Sequence, residues 1–171
     1  MKNTRSRRAL ALAGSALALT LALSGCSTIN NLLGGGPADA DRDEDTGQVT
    51  ESASIDIFAL KLGDCKMASP SGLIESADVV PCEEPHDEEV YHEITMEDGE
   101  FSDAAVETAS QECIGEAFTT FVGVIWDEST LDVYPITPTQ ETWDQFNDRI
   151  VQCVISDPAG PTTGSLAGAA R

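Results

Sequence analysis

The sequence predicts a small single α+β domain, in which an antiparallel or mixed sheet is backed by one main helix and a short second helix and is stapled by two disulfides. Three patterns predict it. Val90, His92, Ile94 and Met96 alternate with Glu89, Tyr91, Glu93 and Thr95, the two-residue period of a strand. Val106, Ala109, Cys113, Ala117 and Phe121 recur at helical spacing behind Ser102, a residue type that caps helix N-termini. Beyond a leader segment the cysteines form an even set, Cys65, Cys82, Cys113 and Cys153.

The leader comes first in the chain. Lys2, Arg5, Arg7 and Arg8 precede an uncharged Ala/Leu run from Ala9 to Leu23, which is short for a bilayer span of ~20 residues and suits a signal-peptide core. The run closes at Leu23-Ser24-Gly25-Cys26, a lipobox pattern whose cysteine becomes the mature N-terminus and carries a lipid. Residues 1–25 therefore read as a lipoprotein signal peptide, with attachment to the membrane through the lipid on Cys26. Residues 26–54 are rich in Gly, Asp, Asn and Thr without apolar periodicity, and read as a flexible acidic tether that reaches ~30 Å. Asp39, Asp41 and Asp43 imitate the opening of a calcium loop, but Glu44 and Thr50 occupy the places where that loop needs Gly and a bidentate Glu.

The folded domain is expected over residues 55–168. Ile55 to Leu62 reads as a short strand ending in a turn at Gly63-Asp64-Cys65, and Asp78 to Pro81 as a second. Glu88 to Met96 reads as a third strand, with a short helix opening at Pro85 as the competing assignment. The main helix begins at Ser102, with Phe101 and Val106 placed as a hydrophobic staple, puts Cys113 on its buried face and stops at Gly123. Leu131, Val133 and Ile136 suggest a strand interrupted by Pro135. A short helix follows from Pro138-Thr139 through Trp143 and Phe146 and ends at Asn147-Asp148. Arg149 to Ile155 is β-branched enough to be a central strand, and the tail after Asp157-Pro158 reads as loose.

No two of the four cysteines have the C-x-x-C spacing of a zinc or thioredoxin-like site, so structural disulfides are expected in an exported chain. Of three possible pairings, Cys65–Cys82 and Cys113–Cys153 are preferred. The first joins two successive strand ends, and the second pins the main helix to the last strand. In the loop-entropy account they contribute ~3 and ~4 kcal/mol.

Charge narrows the partners. The chain carries a net charge of −21, and without its leader five basic residues face thirty acids, a net of −25. Such a surface repels phosphate backbones and anionic head groups, which excludes nucleic acid as a partner. No nucleophile elbow and no phosphate-cradling glycine loop occurs, and His92-Glu93 lacks the second histidine of a zincin helix. A non-catalytic binding or scaffolding module is therefore expected, without cofactor or bound metal. The alternative is a ligand- or divalent-cation-binding sensor lipoprotein, with a cell-wall hydrolase behind it. Candidate binding contacts are His86, Asp87, Glu88 and Tyr91, on or beside an acidic turn. Trp126, Tyr134 and Trp143 read as core, and any partner surface is expected where they approach that turn.

Several of these segments together resemble the septum-formation domain family of bacterial envelope proteins. The resemblance is carried by Gly63-Asp64-Cys65, then Val80-Pro81-Cys82 with Pro85-His86 and Glu89-Val90-Tyr91. Cys113 in a helix, Trp143 before Asp148-Arg149, Cys153 and a closing Gly164-Ser165-Leu166 complete it. Asn147 stands where a glycine is more usual, and Asn also tolerates left-handed backbone. The resemblance implies an envelope domain associated with cell division, a possible envelope or divisome protein partner, and no agreed activity or ligand.

Overall fold

The computed structural model describes residues 39–69 and 75–171. The expected signal peptide, Cys26 and the start of the tether lie outside the described residues. Six strands form one sheet in the order β1-β3-β2-β4-β6-β5, every neighbouring pair antiparallel. They are β1 (Ala53–Asp56), β2 (Cys65–Lys66), β3 (Ser76–Val80), β4 (Glu88–Thr95), β5 (Asp132–Ile136) and β6 (Ile150–Ser156). The expected first strand is shorter than predicted, because Asp56 caps a single 3-10 turn, Ile57–Ala59, by accepting from the Phe58 N–H. Pro135 does not interrupt β5. That strand lies on the sheet edge, where a missing N–H costs no ladder bond.

The competing helix at Pro85 is not formed, and β4 is a strand, but its expected alternation is broken. His92 pairs with Cys153 and Val90 with Val154, leaving Tyr91 as the extra residue of a β-bulge. Val90 therefore faces one side of the sheet with Val154 and Val79, while Tyr91 and Ile94 face the other with Val151, Cys153 and Ile155. Two apolar layers result, one on each side of a single sheet.

The main helix covers the Tyr91 side. Ser102 caps it by accepting from the Ala105 N–H, and helix α1 (Asp103–Gln111) runs through a 3-10 turn, Glu112–Ile114, into α2 (Glu116–Val122). The break falls at Gly115, and Gly123 ends α2 with φ 95°, a conformation that favours glycine. Phe101 packs edge-on against Trp143. Thr139 caps the short α3 (Gln140–Phe146) with a reciprocal bond to Thr142, and Asn147 closes it in the left-handed region at φ 55°.

Both preferred disulfides are present. Cys65–Cys82 joins β2 to the turn after β3, and Cys113–Cys153 joins the 3-10 turn to the middle of β6, with Cα–Cα separations of 5.2 and 5.4 Å. Tyr91 donates its hydroxyl to the Cys113 carbonyl and meets Phe118 edge-on, so the bulge and the disulfide share one buried corner.

Two expectations about the ends of the domain are corrected. The tether does not extend to residue 54, because Ala40 and Val49 are buried against Ile55, Leu60 and Val79, and Arg42 bridges to Val49. Arg42 also grips the buried Asp64 with both terminal guanidinium nitrogens, at 2.5 and 2.8 Å. Polar composition concealed this because two small apolar residues suffice to seat the segment. Two of its carboxylates are occupied locally: Asp39 faces Lys61, and Asp43 caps its own turn at Thr46 and Asp45.

The tail is not loose either. His86 and Thr162 exchange backbone bonds, Gly164 donates to the Cys82 carbonyl, and Gly168 and Ala170 donate to Phe121 and Val122. The buried Glu89 carboxylate accepts from the Ser165 hydroxyl at 2.7 Å and the Leu166 N–H at 2.8 Å. The tail is a strap over the helical side, tied by backbone bonds that hydrophobic periodicity does not reveal.

Candidate functional site

The sheet face opposite α1 and α2 is only partly covered. Between the end of β1 and helix α3 it opens into a cleft of about 1030 Å³. Strand alternation places the floor: Glu88 and Glu93 from β4, Gln152 from β6 and Tyr134 and Ile136 from β5 share this face, given the register of β4, β5 and β6. One lip carries Asp56, Ile57, Phe58 and Glu75, and the other carries Glu141, Phe146 and Asp148.

At the bottom lies an ion pair. Lys66 is 0% exposed and donates to the Met67 carbonyl, the Ser69 hydroxyl at 3.1 Å and the Glu88 carboxylate, while Tyr134 donates to Glu88 at 2.8 Å. Gln152 donates both to the Leu60 carbonyl and to Glu93, at 2.7 and 2.9 Å. The floor is thus a satisfied polar network rather than an oily surface. Each of the three ammonium donors of Lys66 has an acceptor.

The mouth is apolar. Phe58 and Phe146 are 51% and 62% exposed, and their rings meet across the two lips at 5.3 Å. The charge around them is one-sided. All five basic residues of the described chain are engaged in ion pairs, Arg42 and Lys61 with Asp39 or Asp64, Lys66 with Glu88, Arg149 with Asp98 and Arg171 with Asp157. Asp56, Glu75, Glu93, Glu141 and Asp148 line the cleft without a cationic partner among the described residues.

The sequence-predicted contacts do not converge. His86 is fully buried, its Nδ1 donating to the Glu84 carbonyl at 2.9 Å and its Nε2 lying 3.3 Å from the Thr162 hydroxyl, which makes it the clasp of the tail. Asp87 accepts from the Ala68 N–H at 2.8 Å. Tyr91 belongs to the helical core, and of the four only Glu88 reaches the cleft. The other histidine, His92, borders a shallower depression on the helical side with Glu112 and Glu116. Among the described residues no three His, Cys, Asp or Glu side chains are grouped so as to hold a metal ion, and His86 with Asp87 and Glu88 is no exception.

Trp143 is buried, with Arg149 stacked 3.7 Å over its ring and its Nε1–H donated to Gly99, so it braces α3. Trp126 packs on Phe118. Tyr134 alone of the three large aromatics reaches the cleft. No signal in the sequence marks Phe58 and Phe146 as contacts: Phe146 follows the buried Trp143 by three positions, the spacing of a shared helix face, yet is 62% exposed.

Burial raises the phenol pKa of both Tyr91 and Tyr134, and Glu88 adds to the effect at Tyr134. A folded-state pKa above the unfolded value means that the tyrosines' contribution to stability is complete below ~10 and is lost as pH rises beyond it. Because the chain has only two tyrosines, absorbance at 295 nm reports them alone. Tyrosinate absorbance is expected to appear together with loss of near-UV circular dichroism, and ionisation of either tyrosine in the folded protein near pH 10 would contradict the burial.

No helix among the described residues is long and apolar enough to cross a membrane. A family model described as Septum formation matches residues 62–170. No curated protein and no solved structure matches the chain.

Proposed function

The chain belongs to the septum-formation family, and from that premise we propose that it is a lipid-anchored, non-catalytic binding module of the cell envelope that engages a partner through the cleft between β1 and α3. The observation that carries this reading is the exposed Phe58–Phe146 pair at the mouth of a large concave surface. Burying the exposed half or more of each phenylalanine against a partner contributes ~1–2 kcal/mol, enough for two such anchors to carry much of a modest interface. The family-level link to septum formation supports looking for that partner among envelope proteins that act at the division site. A lipid on Cys26 holds the module on the outer face of the cytoplasmic membrane. The three acceptors around the Lys66 ammonium, and the full burial of His86 where it meets the Thr162 hydroxyl in the clasp of the tail, favour binding over turnover.

The reading is tested by replacing the chromosomal copy with a Phe58→Ala/Phe146→Ala double variant. Both residues are more than half exposed, so the variant is expected to keep its secondary structure and to lose ~1–3 kcal/mol from the ring contact and the covered part of each ring. It is expected to reach the membrane with an acylated Cys26 by mass spectrometry, yet to give misplaced or delayed septa by microscopy. Normal septation by the double variant would overturn the assignment of the cleft, and an unprocessed leader would overturn the anchor.

A further inference from the structure

We propose that the occupant of the cleft is a basic polypeptide segment: lysines or arginines flanking an apolar side chain that seats against Phe58 and Phe146. The inference rests on the cleft being the partner surface and names the chemistry of that partner. Its first ground is charge. Every positive charge of the described chain is already paired, so the carboxylates around the cleft have no internal counter-ion. Asp56 and Glu75 stand on one lip, Glu141 and Asp148 on the other and Glu93 on the floor between them.

The second ground is how those carboxylates are held. Asp56 accepts from the Phe58 N–H, Asp148 from the Thr142 hydroxyl and the Ile150 N–H, and Glu93 and Glu141 from Gln152 and Gln145. Each such carboxylate is fixed in place by a neutral donor and keeps an unshared oxygen or lone pair, a geometry suited to receiving ammonium or guanidinium groups. The ion pair at the bottom is closed by its own partners, so the attraction comes from the lips.

The third ground is the combination of these charges with an apolar mouth. A small inorganic cation makes no use of Phe58, Phe146 and Ile136, and no three acidic side chains are grouped as a metal cage among the described residues. A chain that carries both charge and hydrocarbon uses all of them. Electrostatic complementarity would then speed association and set specificity, and the aromatic contact would set residence.

The test uses the full chain in detergent and a fluorescein-labelled lysine peptide with one central leucine, read by fluorescence anisotropy. The peptide is expected to bind at low ionic strength and to weaken as salt rises. Exchange of its leucine for glycine, or Phe146→Ala in the protein, is expected to weaken binding by about tenfold or more. Glu141→Lys should weaken it several-fold, whereas Glu107→Lys, an exposed change on α1 across the sheet, should alter it by less than about twofold. Equal losses from Glu141→Lys and Glu107→Lys, or equal binding of leucine and glycine peptides, would overturn the inference, and so would full displacement by equimolar magnesium or spermine. Photo-crosslinks from position 146 to an envelope protein through a segment without basic residues would sink this inference and leave the cleft as the partner surface. No crosslink from that position would sink both.

Discussion

Loss of the Cys113–Cys153 disulfide is expected to cost the protein ~4 kcal/mol, and loss of both disulfides to leave the head unfolded at room temperature. The bond closes a loop of 40 residues, and Cys65–Cys82 one of 17, for which the chain-entropy account gives ~4 and ~3 kcal/mol. Small domains have ~5–15 kcal/mol in total, so the pair amounts to about half of that range or more. Both half-cystines of the longer loop are buried, and Tyr91 hands its hydroxyl to the Cys113 carbonyl, so a cut there also loosens the bulge of β4 against α2. Urea unfolding of a Cys113→Ala/Cys153→Ala variant, compared with Cys65→Ala/Cys82→Ala, checks the size and the order. Equal, small losses from the two variants would mean that the core alone carries the fold.

Glu88→Leu is expected to destabilise the protein by ~3–5 kcal/mol, because it leaves the fully buried Lys66 ammonium with two neutral acceptors and no counter-charge. The partner change is milder. In Lys66→Met, Glu88 keeps its bond from Tyr134 and still faces the open cleft from its floor, where its side chain is 12% exposed. The double variant Lys66→Met/Glu88→Leu removes both charges and is expected to recover most of what Glu88→Leu loses, since replacing a buried pair by hydrocarbon is often neutral. A double-mutant cycle by urea denaturation reads the coupling directly. Simple additivity of the two single losses would show that the pair does not behave as a unit.

Local chemistry made much of the fold legible in the sequence. Ser102, Gly123, Thr139 and Asn147 each act at a helix end through bonds or dihedrals reaching no further than one turn, and each is found there. The disulfide partners followed from the positions of cysteines at strand ends and on a helix face. Features that depend on distant residues were not legible. The bulge at Tyr91 arises from pairing with β6, and nothing in Val90-Tyr91-His92 announces that alternation will break there. Nothing in the segment around Glu89 marks it as buried, yet it ties down residues 76 and 77 positions away.

The cleft is the extreme case. Phe58 and Phe146 meet across it, and Gln152 reaches the Leu60 carbonyl 92 positions back along the chain. Acidic residues near Cys82 drew attention because they are adjacent in sequence, but turn geometry had already assigned His86 to the tail and Asp87 to Ala68. The unpaired acids that matter are scattered singly over five segments and gather only in three dimensions.

Site-specific photo-crosslinking in the native envelope tests the central claim most directly. A photoreactive residue at position 146, in the otherwise unaltered lipoprotein, is compared with the same residue at position 107 on the far side of the sheet. The account predicts a discrete adduct with an envelope protein from position 146 during septation and none from position 107. Adducts of equal pattern from both positions, or from neither, would contradict it.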